Sequence, residues 1–166
     1  MMTGAYAEQL VVATLAQRPD LRAKVFAPEI RSAVPEFMRH DPAGAFYYGE
    51  RHFDRYFEVG SAAYDPAEPD RPVGAFSVPF AFRDGTPRRE ELHYGGWDEV
   101  IRWAHQDQVD GRPATAVSDL EIMVAPSLQR RGISRFMLGA LRENTRRLGF
   151  ADLYAPLRPT DNTASR

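Results

Sequence analysis

A strand, a loop, a helix and a second strand follow one another within residues 115–157 of this 166-residue sequence. The segment TAVSDLEIMVAP, residues 115–126, is rich in β-branched residues and alternates in the manner of a strand. Apolar residues then recur at helical spacing over 133–148, and a glycine follows them as a helix stop. The segment FADLYAPL, residues 150–157, predicts a second strand. Because a helix joins the two strands, we expect them to be parallel neighbours in an α/β (α+β) sheet.

The loop that joins the first strand to the helix has the chemistry of an anion site. It reads Gln129-Arg-Arg-Gly132-Ile-Ser134. A helix N-terminus offers unpaired backbone N–H groups, and Gly132 lets the backbone approach a bulky anion closely. Gln129 and the two arginines add donors and positive charge. A solvated turn stays an alternative, since such a pattern arises by chance in roughly one chain of this size in five.

With Val124-Ala-Pro126 ahead of it, this loop and helix resemble the GNAT superfamily of N-acetyltransferases over residues 115–157. The resemblance implies a mixed central β-sheet with helices on both faces. It also implies that acetyl-CoA is the co-substrate, with its pyrophosphate on the loop and its pantetheine along the strand backbone. The acyl-CoA-binding residues implied in this way are Ile122, Met123, Val124, Gln129, Arg130, Arg131, Gly132, Ile133 and Ser134.

The same resemblance predicts one domain over residues 1–166. Residues 1–114 would supply the substrate-side helices and the first strands, residues 115–157 the acyl-CoA-binding core, and residues 158–166 a tail. The superfamily continues through another helix and usually two more strands, so the predicted fold lacks these elements. A truncated chain, a diverged tail and a naturally reduced protein are the three alternatives.

Three residues are candidates for catalysis. In the superfamily an amine attacks the thioester directly in a ternary complex, and a carboxylate takes its proton. Glu121 and Asp119 share a strand face by period 2 and are the candidate bases, although an exposed acidic strand face explains them equally well. Tyr154 is the candidate acid, against the alternative of a packed strand aromatic.

The predicted function is therefore an acyl-CoA-dependent N-acyltransferase that transfers acetyl to an unidentified amine. The acids Asp98, Glu99, Asp119 and Glu121 would suit a small cationic amine. The alternatives are a non-catalytic module of GNAT fold that binds CoA or another protein, and a fragment that folds as a homodimer.

Composition excludes several other classes. The sequence has no cysteine, which removes disulfides, thiolate metal sites and a cysteine nucleophile, and its four histidines show no metal spacing. Residues 130–147 hold six arginines and one acid, but the net charge is −2, so we favour a solvated helix face over a nucleic-acid interface. The N-terminus lacks a positively charged leader, and no apolar run reaches membrane-spanning length. A cytoplasmic protein without metal or membrane contact is expected.

The N-terminal two-thirds of the sequence give weaker patterns. They predict a helix over 5–17, one or two short helices over 19–39, and a loop around HDPAGA at 40–45. Residues 73–82 alternate as a strand, and Pro79 within them predicts an edge or a bulge. A further helix is predicted to open near Trp97.

Overall fold

The structure, a computed structural model, describes residues 6–32, 34, 36–48, 53–92 and 95–156. The strands are β1 (Val11–Thr14), β2 (Ser61–Tyr64), β3 (Val73–Phe80), β4 (Ala116–Met123) and β5 (Asp152–Tyr154). The helices are α1 (Leu21–Val25), α2 (Pro28–Arg31), α3 (Glu36–Arg39), α4 (Pro42–Tyr48), α5 (Gly96–Asp110) and α6 (Ile133–Arg147). Short 3₁₀ helices span Ala7–Gln9, Phe53–Tyr56 and Pro126–Leu128. The predicted tail at 158–166 lies outside the described residues.

The five strands form one mixed sheet in the order β1-β2-β3-β4-β5. The first four are antiparallel neighbours, and β4 and β5 are parallel, with Ser118 opposite Tyr154. Helix α6 connects the parallel pair, as the change of period in the sequence predicts. The α+β class and the strand–helix–strand unit are confirmed. The division into a substrate-side part and an acyl-CoA core stays a prediction.

The core is built on one row of side chains of β3. Phe76 and Phe80 are fully buried on the same parity of the strand. Phe76 stacks on Phe26, which follows α1, with ring centroids 5.3 Å apart, and it meets the ring of Tyr48 from α4 edge-on at 5.7 Å. Phe80 lies 6.0 Å from the ring of Trp103 in α5. Helices α1, α4 and α5 therefore pack against this row.

Pro79 lies in the middle strand of the sheet and not in an edge strand. Strand β2 pairs with Val73–Ala75, so Pro79 lies beyond its end, and among the described strands only β4 lies beside Pro79. A proline there costs no hydrogen bond to β2. The prediction of an edge strand is therefore wrong for β3 as a whole. At Pro79 itself the strand is nevertheless unpaired on the side of β2. The bulge lies elsewhere, between Phe76 and Ser77.

Two N-terminal predictions are wrong. The helix predicted over 5–17 is a 3₁₀ turn followed by β1, because β-branched Val11 and Val12 favour an extended chain that pairs with β2. The loop predicted around residues 40–45 contains the start of α4. Asp41 caps this helix, since its carboxylate accepts a hydrogen bond from the backbone N–H of Gly44 at 2.9 Å.

Strand β1 forms one edge of the sheet. Leu15 donates its backbone N–H to the carbonyl of Gly60 at 3.0 Å, so by alternation Val12 and Thr14 turn their backbone groups outward. The outward groups of Thr14 are already used by the following turn. Its N–H donates to the side chain of Gln17 at 3.0 Å, and its carbonyl accepts from the backbone of Gln17 and Arg18.

None of the helices in the described part of the chain combines the length and the apolar character needed to cross a lipid bilayer.

Candidate functional site

The loop between β4 and α6 folds back on the end of its own strand. The side-chain amide of Gln129 donates to the backbone carbonyl of Val124 at 3.2 Å. Arg130 and Gly132 both have left-handed backbone conformations, with φ of 64° and 74°. Gly132 is the N-cap of α6, and no side chain caps this helix end among the described residues. The glycine is therefore required by the turn into the helix, where a side chain would be strained.

The start of this loop is fixed by a polar cluster. Glu29 of α2 accepts a hydrogen bond from the hydroxyl of Ser127 and an ion pair from Arg71, both at 2.9 Å. Arg71 also hydrogen-bonds Ser127. The hydrogen bond from Ser127, followed by that from Arg71, holds the pKa of Glu29 below its ordinary value. The cluster joins α2 to the 3₁₀ turn at Pro126–Leu128 and so sets where the loop begins.

The loop arginines are not equally available to a ligand. The guanidinium of Arg131 lies 4.9 Å from the ring centroid of Tyr6, within range of a cation–π contact. Arg130 is exposed. The prediction that residues 129–134 bind the pyrophosphate of acetyl-CoA, and that the backbone of Ile122–Val124 binds its pantetheine, stays a prediction.

The two candidate bases do not share a strand face as predicted. The bulge places Glu121 opposite Phe76 and Asp119 opposite Ser77, which are successive residues of β3. Since neighbouring residues of a strand face opposite ways, one extra residue in β4 breaks the period of 2 on which the prediction depended. The alternative of an exposed acidic face is also wrong, because Asp119 is buried and Glu121 is half-buried.

Glu121 is held by a tyrosine that the sequence analysis did not identify. The hydroxyl of Tyr48 donates to a carboxylate oxygen of Glu121 at 2.7 Å. Burial raises the pKa of Glu121, and the hydrogen bond from Tyr48 opposes that rise. Burial raises the pKa of Tyr48 well above its ordinary value, and the charge of Glu121 adds to the effect, so the phenol is a stable proton donor. The sequence around Tyr48, FYYGE, has no pattern that predicts this contact, because the two residues are 73 positions apart in the chain.

Asp119 is the most perturbed carboxyl group of the site. The residue is 8% exposed, and its Oδ1 has no hydrogen-bond partner in the part of the chain that the structure describes. Burial raises the pKa of Asp119 to about 7, and the nearby Glu121 contributes in the same direction. The group can therefore take up or release a proton near neutral pH.

We expect Asp119→Asn to be more stable than the wild type above about pH 7, by about 3 to 4 kcal/mol. The folded wild type binds the Asp119 proton more tightly than the unfolded chain does. The stability that this proton supplies is complete below the ordinary pKa of 3.8 and is lost as the pH rises toward about 7. Asparagine cannot ionise, so the variant should lose less stability over that interval. Urea unfolding across the pH range measures this, with exposed Asp152→Asn as a control that should follow the wild type. Parallel curves for wild type and Asp119→Asn would contradict the prediction.

Tyr154, the candidate acid, packs among aromatic rings. Its ring lies 5.2 Å from that of Phe82, edge-on, and 6.3 Å from that of Phe80. It also borders a cavity of about 210 Å³ between α5 and the parallel strands. The cavity is lined by Leu92, Gly96, Glu99, Val100, Trp103, Ser118, Tyr154, Ala155 and Pro156. The interpretation of Tyr154 as a packed aromatic agrees with these contacts, and its role as an acid stays a prediction.

Two members of the predicted acidic cluster, Asp98 and Glu99, lie in the first turn of α5. Glu99 forms an ion pair with Arg102 at 3.4 Å and lines the cavity. Burial, and next the charge of Asp41, raise the pKa of Asp98. Within the described residues, no group of three or more His, Cys, Asp or Glu side chains could hold a metal ion. The expectation that the protein needs no metal stays a prediction.

Comparisons with known proteins bear on what such a site does. No family model matches the chain, and no solved structure matches it. One curated protein does. It is the urease accessory protein UreD of Cereibacter sphaeroides, which is 30% identical to this chain over 146 residues. The alignment covers 87% of this chain and 50% of the relative, so the chain spans about half the length of the curated protein that it matches.

This match contradicts the acetyltransferase assignment. On this finding, the predicted GNAT membership is wrong, and so is the N-acyltransferase function with its CoA-binding alternative. The predicted enzymatic activity and the predicted partners, acyl-CoA and an amine, are wrong as well. The homodimer stays a prediction. The physical reason lies in the motif. A strand, a glycine-containing turn and an amphipathic helix form a common crossover unit, and unrelated functions can be carried on the same local fold. The loop motif depends on a handful of side chains, and these are too few to identify a family.

Proposed function

We propose that this chain is an accessory protein of urease that acts by binding a protein and not by catalysis. The observation that carries the proposal is the 30% identity to a urease accessory protein along 87% of this chain. Because the chain spans half of that relative, the proposal is for a role in urease assembly and not for the whole activity of the longer protein. We further propose that the role is carried out in the cytoplasm.

The geometry of the site is in keeping with a non-catalytic role. Glu121 is engaged by Tyr48, and Arg131 lies against Tyr6. Asp119 is buried in the bulge of β4. Glu121 and Arg131 thus serve contacts within the chain, and Asp119 is shielded from a substrate by burial, whereas a catalytic constellation needs several groups free to converge on one substrate.

The direct test is complex formation. Purified chain is mixed with urease apoprotein, and separately with each of the other urease accessory proteins, and each mixture is passed over a size-exclusion column. We expect the chain to co-elute with at least one of them, at a larger size than either component alone. An unrelated protein of similar mass and charge serves as the control. Separate elution from all of them would overturn the proposal.

A second arm of the test addresses catalysis. The chain is incubated with acetyl-CoA and a panel of amines, polyamines and amino acids, and free CoA thiol is measured with a thiol reagent. We expect no release above the rate without protein. Release that depends on both the protein and an amine would overturn the non-catalytic role.

A further inference from the structure

The outward face of α6 is strongly basic. Residues 130–147 hold six arginines and one acid in a chain whose net charge is −2. The helix and its leading loop therefore carry a net positive charge, while the rest of the chain carries a net negative one. Such a separation of charge produces a local positive potential that a uniform distribution would not give.

The arginines of α6 lie along one line of the helix. At 100° per residue, Arg135, Leu138, Gly139, Arg142 and Arg146 all point within about 60° of a common direction. All five are exposed. The stripe runs opposite the buried residues Ile133, Met137 and Asn144. We call these five residues the α6 stripe.

The charges of the α6 stripe are largely unneutralised. No ion-pair partner for Arg135 or Arg142 occurs among the described residues, and Arg146 has only a 3.8 Å contact with Glu143. Both members of that pair are 75% exposed, so the contact is weak. Arg135 and Arg142 are about 10 Å apart along the helix axis, with the uncharged positions between them.

The centre of the α6 stripe is formed by the apolar side chain of Leu138 and by Gly139, which has no side chain. Leu138 is 38% exposed, which makes it one of the few large apolar side chains on the surface of the described residues. A Cβ on Gly139 would meet nothing within 4 Å, so this glycine is not required by packing inside the chain. A glycine in the middle of a helix costs about 1 kcal/mol relative to alanine. It lets the backbone of another chain come close beside Leu138.

We propose that the α6 stripe is a docking surface for an acidic amphipathic segment of a partner protein. The arginines would pair with carboxylates of that segment, and Leu138 with Gly139 would receive an apolar residue between them. Arginine is enriched at protein interfaces, where its guanidinium forms paired hydrogen bonds with carboxylates. The proposal names the surface used in the accessory role and rests on the proposed function only for the identity of the partner.

Nucleic acid is a less suitable occupant. Glu143 lies beside the line of arginines, where it would face a phosphate backbone. The apolar centre of the stripe has no counterpart in a regularly spaced row of phosphates. A protein segment offers both the carboxylates and the apolar side chain that this surface requires.

The test uses charge reversal on the full chain. The test variant carries Arg135→Glu, Arg142→Glu and Arg146→Glu. The control variant has the same change of charge at exposed arginines elsewhere: Arg31→Glu, Arg55→Glu and Arg102→Glu. Binding is measured by fluorescence anisotropy, at low and high salt, to the urease-related protein that co-elutes with the wild type and to a synthetic amphipathic helix with glutamates and leucines on one face. Circular dichroism melting confirms that each variant is folded.

We expect the α6 variant to bind both probes at least about tenfold more weakly than the wild type, and the control variant to bind within about twofold of it. Equal affinities for the α6 variant and the wild type, or equal losses in both variants, would overturn the proposal. Tighter binding of the wild type to a DNA duplex than to the acidic helix would also overturn it. If no urease-related protein binds the wild type, the proposed function fails, and the acidic helix still decides the role of the stripe.

Discussion

Replacing Asp107 with alanine is expected to lower the free energy of unfolding by about 3 to 5 kcal/mol. Asp107 and Arg89 form an ion pair at 2.7 Å and are 3% and 4% exposed. Asp107 also accepts the backbone N–H of Ala81 at 2.7 Å, while Arg89 donates to the carbonyl of the same residue and lies over the ring of Trp103. The substitution would leave a buried guanidinium without its carboxylate, and that uncompensated charge is the source of the loss.

Two further variants separate the charge from the packing. Replacing both members, with Arg89→Leu and Asp107→Leu, should recover part of the loss, because no unpaired charge remains. Glu143→Ala breaks an exposed pair and should stay close to the wild type. Urea unfolding measures all three. A loss for Asp107→Ala no larger than that for Glu143→Ala would show that the Arg89–Asp107 pair contributes little to stability.

Replacing Phe76 with alanine is expected to cost about 3 to 5 kcal/mol as well, for a different reason. The side chain is fully buried and touches Phe26 and Tyr48, so its removal opens a cavity between the sheet and two helices. The effect should extend to the site, since Tyr48 would lose the ring that supports it beside Glu121. Val109→Ala, at a position 68% exposed, is the matched control.

Urea midpoints and near-ultraviolet circular dichroism follow the two variants. For Phe76→Ala, the tyrosine signal should change together with the midpoint. A loss below about 1 kcal/mol would mean that the neighbouring helices close the cavity and that Phe76 is not a main support of α1 and α4.

The C-terminal unit was predictable because its signals are local. Residues 115–157 carry an alternating strand, a helical stripe and a glycine stop, each within one element, and the structure has β4, α6 and β5 there. The N-terminal region was not predictable in the same way. Val11–Thr14 become a strand by pairing with Ser61–Tyr64, about fifty residues later, and no local pattern reports that partner.

The sequence predicted which strand carries the acidic residues of the site, but it did not predict how their side chains are arranged. The sequence placed Asp119 and Glu121 on one strand, but a single bulge residue changes which way each side chain faces. The support of Glu121 by Tyr48 depends on how α4 packs on the sheet, which no sequence period encodes. The function was predicted wrongly for a related reason. A short loop reports the local chemistry of its own backbone, whereas the partner of a binding protein is set by a surface assembled from the whole fold.

The occupied backbone of Thr14 affects how this protein behaves at high concentration. Exposed strand edges are the usual starting points for intermolecular β-pairing and aggregation. Here Gln17 and the turn that contains it already hydrogen-bond the outward-facing backbone N–H and carbonyl of Thr14. In this four-residue strand, Val12 is the other residue whose backbone groups face outward. A second chain could therefore add only a very short ladder at this edge. We therefore expect the side chain of Gln17 and the turn around it to hinder fibril-like growth from β1.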